Sequence, residues 1–197
     1  MKSGAIVSIV VVVVVVLVGV LYFTGALTPG PSAPLGGEPN FVSRTYSNSM
    51  SGLSFSYPSR YYLVEREVGN AERRHYQILL VDDTPQNRDL IAGKIPGTEG
   101  PIAVTVDIYQ NNLDKMTTEE WVTGTNDSNY KLGSGATTSV NIGGLQGLSY
   151  TWDGLYQGQT VAVANSKNVY AFSATYNSLE DHTIKDLPLI LTTVKIQ

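Results

Sequence analysis

Two hydrophobic patterns divide the chain. Residues 5–23 are apolar almost without interruption, broken only by Ser8, Gly19 and Tyr22, and residues 10–16 are all valine. From Phe41 onward apolar positions alternate with polar ones, the period-two signature of strands with one buried face. Leu53, Phe55 and Tyr57 alternate with Ser54 and Ser56, and Pro58 ends the run. Residues 61–68 and 74–81 read as strands turning at Gly69-Asn70. Ile102, Val104, Val106 and Ile108 share one face of a strand; Ala103, Thr105, Asp107 and Tyr109 share the other. That pattern is apolar toward a core and mixed outside. Leu148, Tyr150 and Trp152 open a meander that continues in residues 160–164 and 169–176, with polar turns at 153–158 and 165–168.

Three segments depart from the strand period. Thr117, Thr118, Glu119 and Glu120 precede Trp121 and Val122, the hydroxyl-then-carboxylate order of a capped helix start. Residues 178–193 carry a helical stripe of Leu179, Ile184, Leu187 and Leu191, continued by Val194, and Ser178 with Asp181 has the spacing of a capping box. Pro188 lies inside and is expected to kink or delay that helix. Residues 85–91 read as a third, short helix. Strands in a meander with a few helices imply an α+β domain: one antiparallel β-sheet of about six to seven strands with helices packed on it.

The apolar run reads as one transmembrane helix. Nineteen residues rise ~28 Å, close to a hydrocarbon core of about 30 Å. Its Val, Ile, Leu and Phe residues sum to roughly −5 to −9 kcal/mol of insertion free energy. A buried strand of that length is far outside the usual ~5–6 residues. A cleaved signal peptide has an apolar region of ~7–15 residues and a small-x-small site, and Thr24-Gly25-Ala26 matches that poorly. A pilin-like segment would carry a glutamate near the start of the run, and none is there. Lys2 and the amino terminus are the flanking positive charges, which place residues 1–4 in the cytoplasm and the remainder outside. Residues 24–40 contain Pro29, Pro31, Pro34 and Pro39 among glycines, the composition of a flexible tether. The expected organisation is a cytoplasmic stub at 1–4, a signal anchor at 5–23, a linker at 24–40 and an extracytoplasmic domain at 41–197.

Composition narrows the chemistry. The 197 residues include no cysteine, which excludes disulfides, thiolate metal sites and a cysteine nucleophile. The net charge is −4 with a pI near 5.1, against a nucleic-acid binder, which needs a basic face. Lys2 and Glu38 cancel, so the domain beyond residue 40 carries the same −4.

Few residues invite a chemical reading. His75 reads as a strand histidine, facing the same way as Gln77 and Leu79. His182 sits beside Glu180 and Asp181 at a helix start, where neighbours point apart and do not chelate one ion. Gly147-Leu148-Ser149-Tyr150-Thr151 lacks the second glycine of a nucleophile elbow. Asp82-Asp83 and the run from Asp107 through Asn111 and Asn112 to Asp114 are rich in oxygen, but neither has calcium-loop spacing, and turn chemistry explains both. No catalytic, cofactor or metal residue is assigned. All but one of the 12 tyrosines and both tryptophans lie beyond residue 40. Most belong to strands and core, but Tyr150, Trp152 and Tyr156 straddle one strand and its turn and are the candidate partner surface.

Gly52-Leu53-Ser54-Phe55-Ser56-Tyr57-Pro58-Ser59-Arg60-Tyr61 resembles the first strand of PsbP-like domains, where an aromatic-x-aromatic-Pro strand follows a glycine. The later order is similar too: a helix at Glu119-Glu120-Trp121, a Gly143-Gly144 turn, an aromatic meander and a terminal helix. The resemblance covers residues 44–197. It implies a helix–sheet–helix sandwich and a non-catalytic, extracytoplasmic accessory role. The photosynthetic members bind the photosystem and help retain its inorganic cofactors; this chain departs from them by its anchor, and their metal-linked residues have no matched positions here. The expected function is therefore a single-pass membrane-anchored binding or scaffold module of the cell envelope. It carries no cofactor, and its partner is an envelope protein or a wall glycan. The alternatives are a metal-assisted hydrolase, which needs His75 or His182 in a pocket with carboxylates, and a calcium-dependent adhesin.

Overall fold

The computed structural model describes residues 42–69, 73–96 and 99–197. The expected spanning segment 5–23, the linker 24–40 and Asn70 of the expected turn lie outside the described residues. Among the described residues no helix is long and apolar enough to cross a membrane.

The chain folds in the order β1 (Ser43–Asn48), β2 (Leu53–Pro58), β3 (Tyr61–Glu67), β4 (His75–Asp82), α1 (Pro85–Ile91), β5 (Val104–Gln110), α2 (Thr118–Gly124), β6 (Thr138–Ile142), β7 (Leu145–Asp153), β8 (Gln157–Ala164), β9 (Asn168–Tyr176), α3 (His182–Leu191) and β10 (Lys195–Ile196). Seven strands form one antiparallel sheet in the order β3-β4-β5-β9-β8-β7-β6. This is the expected α+β architecture, but the sheet is not alone. The strand holding Leu53, Phe55 and Tyr57 leaves it for a second, three-stranded sheet, β1-β2-β10. Nothing in the period of β2 specifies its partner, because alternation gives a buried face and not the neighbour that covers it.

Strand β9 shows how the core is divided. Tyr170, Phe172 and Ala174 point into the larger core, together with Leu53, Phe55 and Tyr57 of the small sheet and Leu187 and Ile190 of α3. Val169 and Ala171 point the other way, to Trp121 and Val122 of α2. Period-two pleating thus feeds two cores from one strand. The large sheet is a middle layer, with α3 and the small sheet on one face and α2 on the other.

The helices begin where local chemistry directs them, with one correction. Thr117 caps α2: its hydroxyl accepts from the Glu120 backbone N–H, and the Glu120 carboxylate accepts from the Thr117 N–H at 2.7 Å, a complete capping box. That bonding also holds the Glu120 carboxyl below the usual range. Thr84 caps α1, with Pro85 in the first turn. Ser178 does not cap α3. The helix starts four residues later, and Asp181 reaches back to accept from the Asn177 and Ser178 backbone N–H groups at 2.8 and 3.0 Å. Spacing alone does not distinguish a capping box from an Asp-centred turn, since both satisfy the same kind of orphan donor. Pro188 is accommodated within α3, which runs on to Leu191.

Candidate functional site

Helix α2 covers only part of its face of the sheet. It seals Val169, Ala171 and Ala162 beneath Trp121 and Val122. Toward β4 and the far ends of β8 and β9 the same face stays open. Antiparallel register sets His75 opposite Tyr109, and Gln77 opposite Asp107. The face read as mixed and outward on β5 is therefore the wall of a cleft.

Asp107 is the hub of that wall. Its Oδ1 accepts from Gln77 Nε2 at 2.8 Å and lies 2.6 Å from His75 Nε2. The carboxylate orients the ring by accepting a hydrogen bond from Nε2–H. Arg66 then fixes Gln77 from behind, through Nε at 2.9 Å and a terminal nitrogen at 2.6 Å to its Oε1. The His75 ring stacks on Tyr109, centroids 4.1 Å apart at 20°, and Tyr109 leans on Trp121 at 5.2 Å. Burial, then the negative charges of Asp107 and Asp127, pushes the Tyr109 hydroxyl well above the usual phenol range.

His75, Gln77, Asp107, Tyr109 and Trp121 border a cavity of about 250 Å³ that reaches across to Trp152 and the loop of Asp127 and Asn129. A second cleft, about 410 Å³, lies beyond the shared wall of His75, Tyr109 and Trp121. Hydroxyls pave the far part of the smaller cavity. Thr160 and Ser173 are 2.8 Å apart, and Trp152 Nε1 donates to Thr160 at 2.9 Å. The loop at the mouth is held from below. Ser128, buried, donates to the Val122 carbonyl at 2.7 Å, and Tyr150 donates to the Ser128 carbonyl at 2.6 Å. Asn129 adopts φ +58°, a conformation that asparagine tolerates better than most residues. Buried Asn111 secures the segment entering α2, bonding Met116 through both ends of its amide and the Asn165 carbonyl besides.

Gly158 seats the Trp152 indole. A Cβ there would stand 2.2 Å from indole carbons of Trp152. Gly158→Ala is expected to force the indole off its seat, at roughly 1–3 kcal/mol of stability. A shifted tryptophan emission with a lowered Tm checks this; an unchanged emission spectrum would show that the ring does not rest on the glycine.

The expected partner surface is not a single patch. Tyr150 is buried, edge-on to Tyr130 at 5.5 Å. Trp152 forms the cavity wall just described. Tyr156 donates to the Gly100 carbonyl at 2.8 Å and is half-buried. Tyr150 and Trp152 share one side of β7, but the Ser128 loop covers Tyr150, and Tyr156 lies in the turn that follows. The oxygen-rich runs do not converge either. Asp83 is bidentate with Arg88 beside α1, Asp107 is paired with His75, and Asp114 with Arg73. His182 opens α3 on the opposite face of the sheet from His75. Among the described residues no three His, Asp or Glu side chains are grouped as a metal site.

Gln77, Tyr109, Asp127 and Asn129 were not legible as site residues, and Asp107 was read only as part of an oxygen-rich run. The available signal was a charge and a phenol alternating on the outer face of the cleanest strand. That signal gains meaning only when the neighbouring strand and the α2 loop are known.

The fold and this face define a class: an α+β sheet domain with a polar, aromatic-walled cleft beside its shorter covering helix. No protein-family model matches the chain, and no curated protein matches it. The chain is similar to the solution structure of cyanobacterial PsbP (CyanoP) from Synechocystis sp. PCC 6803, with a TM-score of 0.48 and 13% identity over 86% of this chain and 99% of that one. That structure is of the family that residues 44–197 resemble in the pattern and order of their elements. The likeness is one of fold.

Proposed function

We propose that this chain is a single-pass membrane-anchored module that binds a partner outside the cytoplasm without catalysing a reaction, and that the cleft beside α2 is the binding site. The observation that carries the reading is the cleft: two carboxylates, two indoles, a phenol and an imidazole held by Asp107 border one cavity between the sheet face and α2 with its following loop. The floor hydroxyls support binding over nucleophilic chemistry. Thr160 and Ser173 bond each other, and Thr160 accepts from Trp152, whereas His75 is committed to Asp107. Anchoring is supported by the uncharged run 5–23 and the Pro/Gly-rich stretch after it. The occupant is an envelope protein or a wall glycan.

Two measurements test this. The full chain is expected to stay with membranes through an alkaline carbonate wash, and a chain lacking residues 1–25 to appear as a soluble folded domain; a full chain washed off freely would end the anchored reading. A photo-crosslinking residue at Asn126, exposed and next to the cavity-lining Asp127, is expected to give a discrete adduct in cells. The same residue at Leu189, exposed on α3, is expected to give none. Equal labelling at the two positions, or none at Asn126, would remove the cleft as the binding site.

A further inference from the structure

We propose that the occupant of this cleft is a saccharide, held as one neutral sugar ring; the proposal deepens the binding-module reading and rests on it. The lining satisfies some ligand chemistries and penalises others. Asp107 and Asp127 border the cavity, and among the described residues no Lys or Arg borders it. An anionic ligand therefore meets two like charges with no counterion, a cost that rises as water leaves. A purely apolar ligand would dry Asn129, Thr105, Ser173 and the carboxylates without replacing their bonds to water.

An organic cation satisfies the carboxylates but wastes the donors. The Tyr109 hydroxyl and the Asn129 amide form no side-chain hydrogen bond among the described residues, and both border the cavity. Asp107 already accepts from His75 and Gln77 on Oδ1, so part of its charge is met within the protein. The remaining demand is mixed: acceptors at Asp107 Oδ2 and Asp127, and donors at Tyr109 and Asn129. A sugar hydroxyl donates and accepts at once, so vicinal hydroxyls meet such a set without a formal charge. The C–H face of a pyranose supplies the apolar half, against the walls of Trp152 and Trp121. At about 250 Å³ the cavity is smaller than the ~300–1,000 Å³ that drug-sized ligands occupy, in keeping with one ring.

The test uses an accident of composition. The chain has two tryptophans, Trp121 and Trp152, and both border this cavity, so all tryptophan emission reports on it. The full chain, in micelles of a polyoxyethylene detergent free of sugar, is titrated with glucose, N-acetylglucosamine and the β-1,4-linked dimer and tetramer of the latter. n-Butylammonium and acetate serve as charged controls. At least one saccharide is expected to shift the emission saturably, at concentrations where neither control does. Asp127→Ala and Asn129→Gly, which removes the amide and keeps the positive φ, are each expected to weaken that binding ~10-fold or more with unchanged Tm. No saturable response to any of the four sugars overturns the proposal, as does butylammonium binding as tightly as the best of them, or full affinity in both variants. An Asn126 adduct that persists while no sugar binds would leave the binding-module reading standing and remove the saccharide alone.

Discussion

Raising the pH past about 10 is expected to unfold the domain along a steep slope. Burial raises the hydroxyls of Tyr46, Tyr61, Tyr109 and Tyr150 well above the ordinary phenol value. At Tyr61 the hydrogen bond to the Asp186 carboxylate adds to that, and at Tyr109 the charges of Asp107 and Asp127 do. The sign follows from proton counting. Below the unfolded-state value near 10 both states hold these protons, and the stability they carry is fully present. Above it the unfolded chain releases them while the folded one keeps them, so stability falls as pH rises toward the folded values. Each such tyrosine contributes about 1.4 kcal/mol per pH unit, and four together up to about 5–6 kcal/mol per unit. Urea unfolding between pH 8 and 12, with phenolate absorbance near 295 nm followed in parallel, reads both halves. A late group of tyrosines should ionise together with loss of structure. If all of them titrated smoothly around pH 10 in a folded domain, the burial assigned to these four rings would be wrong.

Asp186→Ala is expected to be the most destabilising single truncation of a polar group, at about 3–4 kcal/mol. Asp186 lies on α3 and is buried. Its Oδ2 accepts from the Tyr61 hydroxyl at 2.6 Å and from the Arg60 guanidinium. Tyr61 is fully buried at the start of β3, so this carboxylate ties the edge strand of the large sheet to the terminal helix. Removing it strands a phenol hydroxyl in the core. Arg60 has 40% of its side-chain surface exposed and returns to water, which keeps the loss at the lower end for a broken buried pair. Asp186→Asn retains an acceptor for Tyr61 and should cost about half as much. Equal losses for the two variants in urea titrations would mean that the Arg60 charge, and not the Tyr61 hydroxyl, dominates the cluster.

Much of the fold was legible because its signals are local. The β5 alternation gave its buried face, and Val104, Val106 and Ile108 occupy the larger core. The Thr117 to Glu120 spacing gave the start of α2, and residues 85–91 gave α1 at its observed bounds. The meander from β7 to β9 followed from short polar links, which oblige consecutive strands to pair. Errors arose where one residue pattern has two physical outcomes. Ser178 and Asp181 fit either a cap or a turn, and an alternating aromatic strand such as β2 pairs into whichever sheet has an open edge.

The site lay beyond that reach. His75 and Asp107 are 32 positions apart, and their meeting depends on a β4–β5 register that a shift of one residue would abolish, since it turns every side chain to the other face. Tyr150 and Trp152 point to the same side of one strand, yet one is capped by the Ser128 loop and the other borders a cavity. Sequence by itself determined which positions want burial, where helices can begin, and that a long uncharged run precedes a sheet-forming domain. Only the tertiary structure decided which outward-facing residues face water and which face one another, because α2 covers part of a sheet face and leaves the rest open, and the extent of that cover is set by packing between elements far apart in the chain.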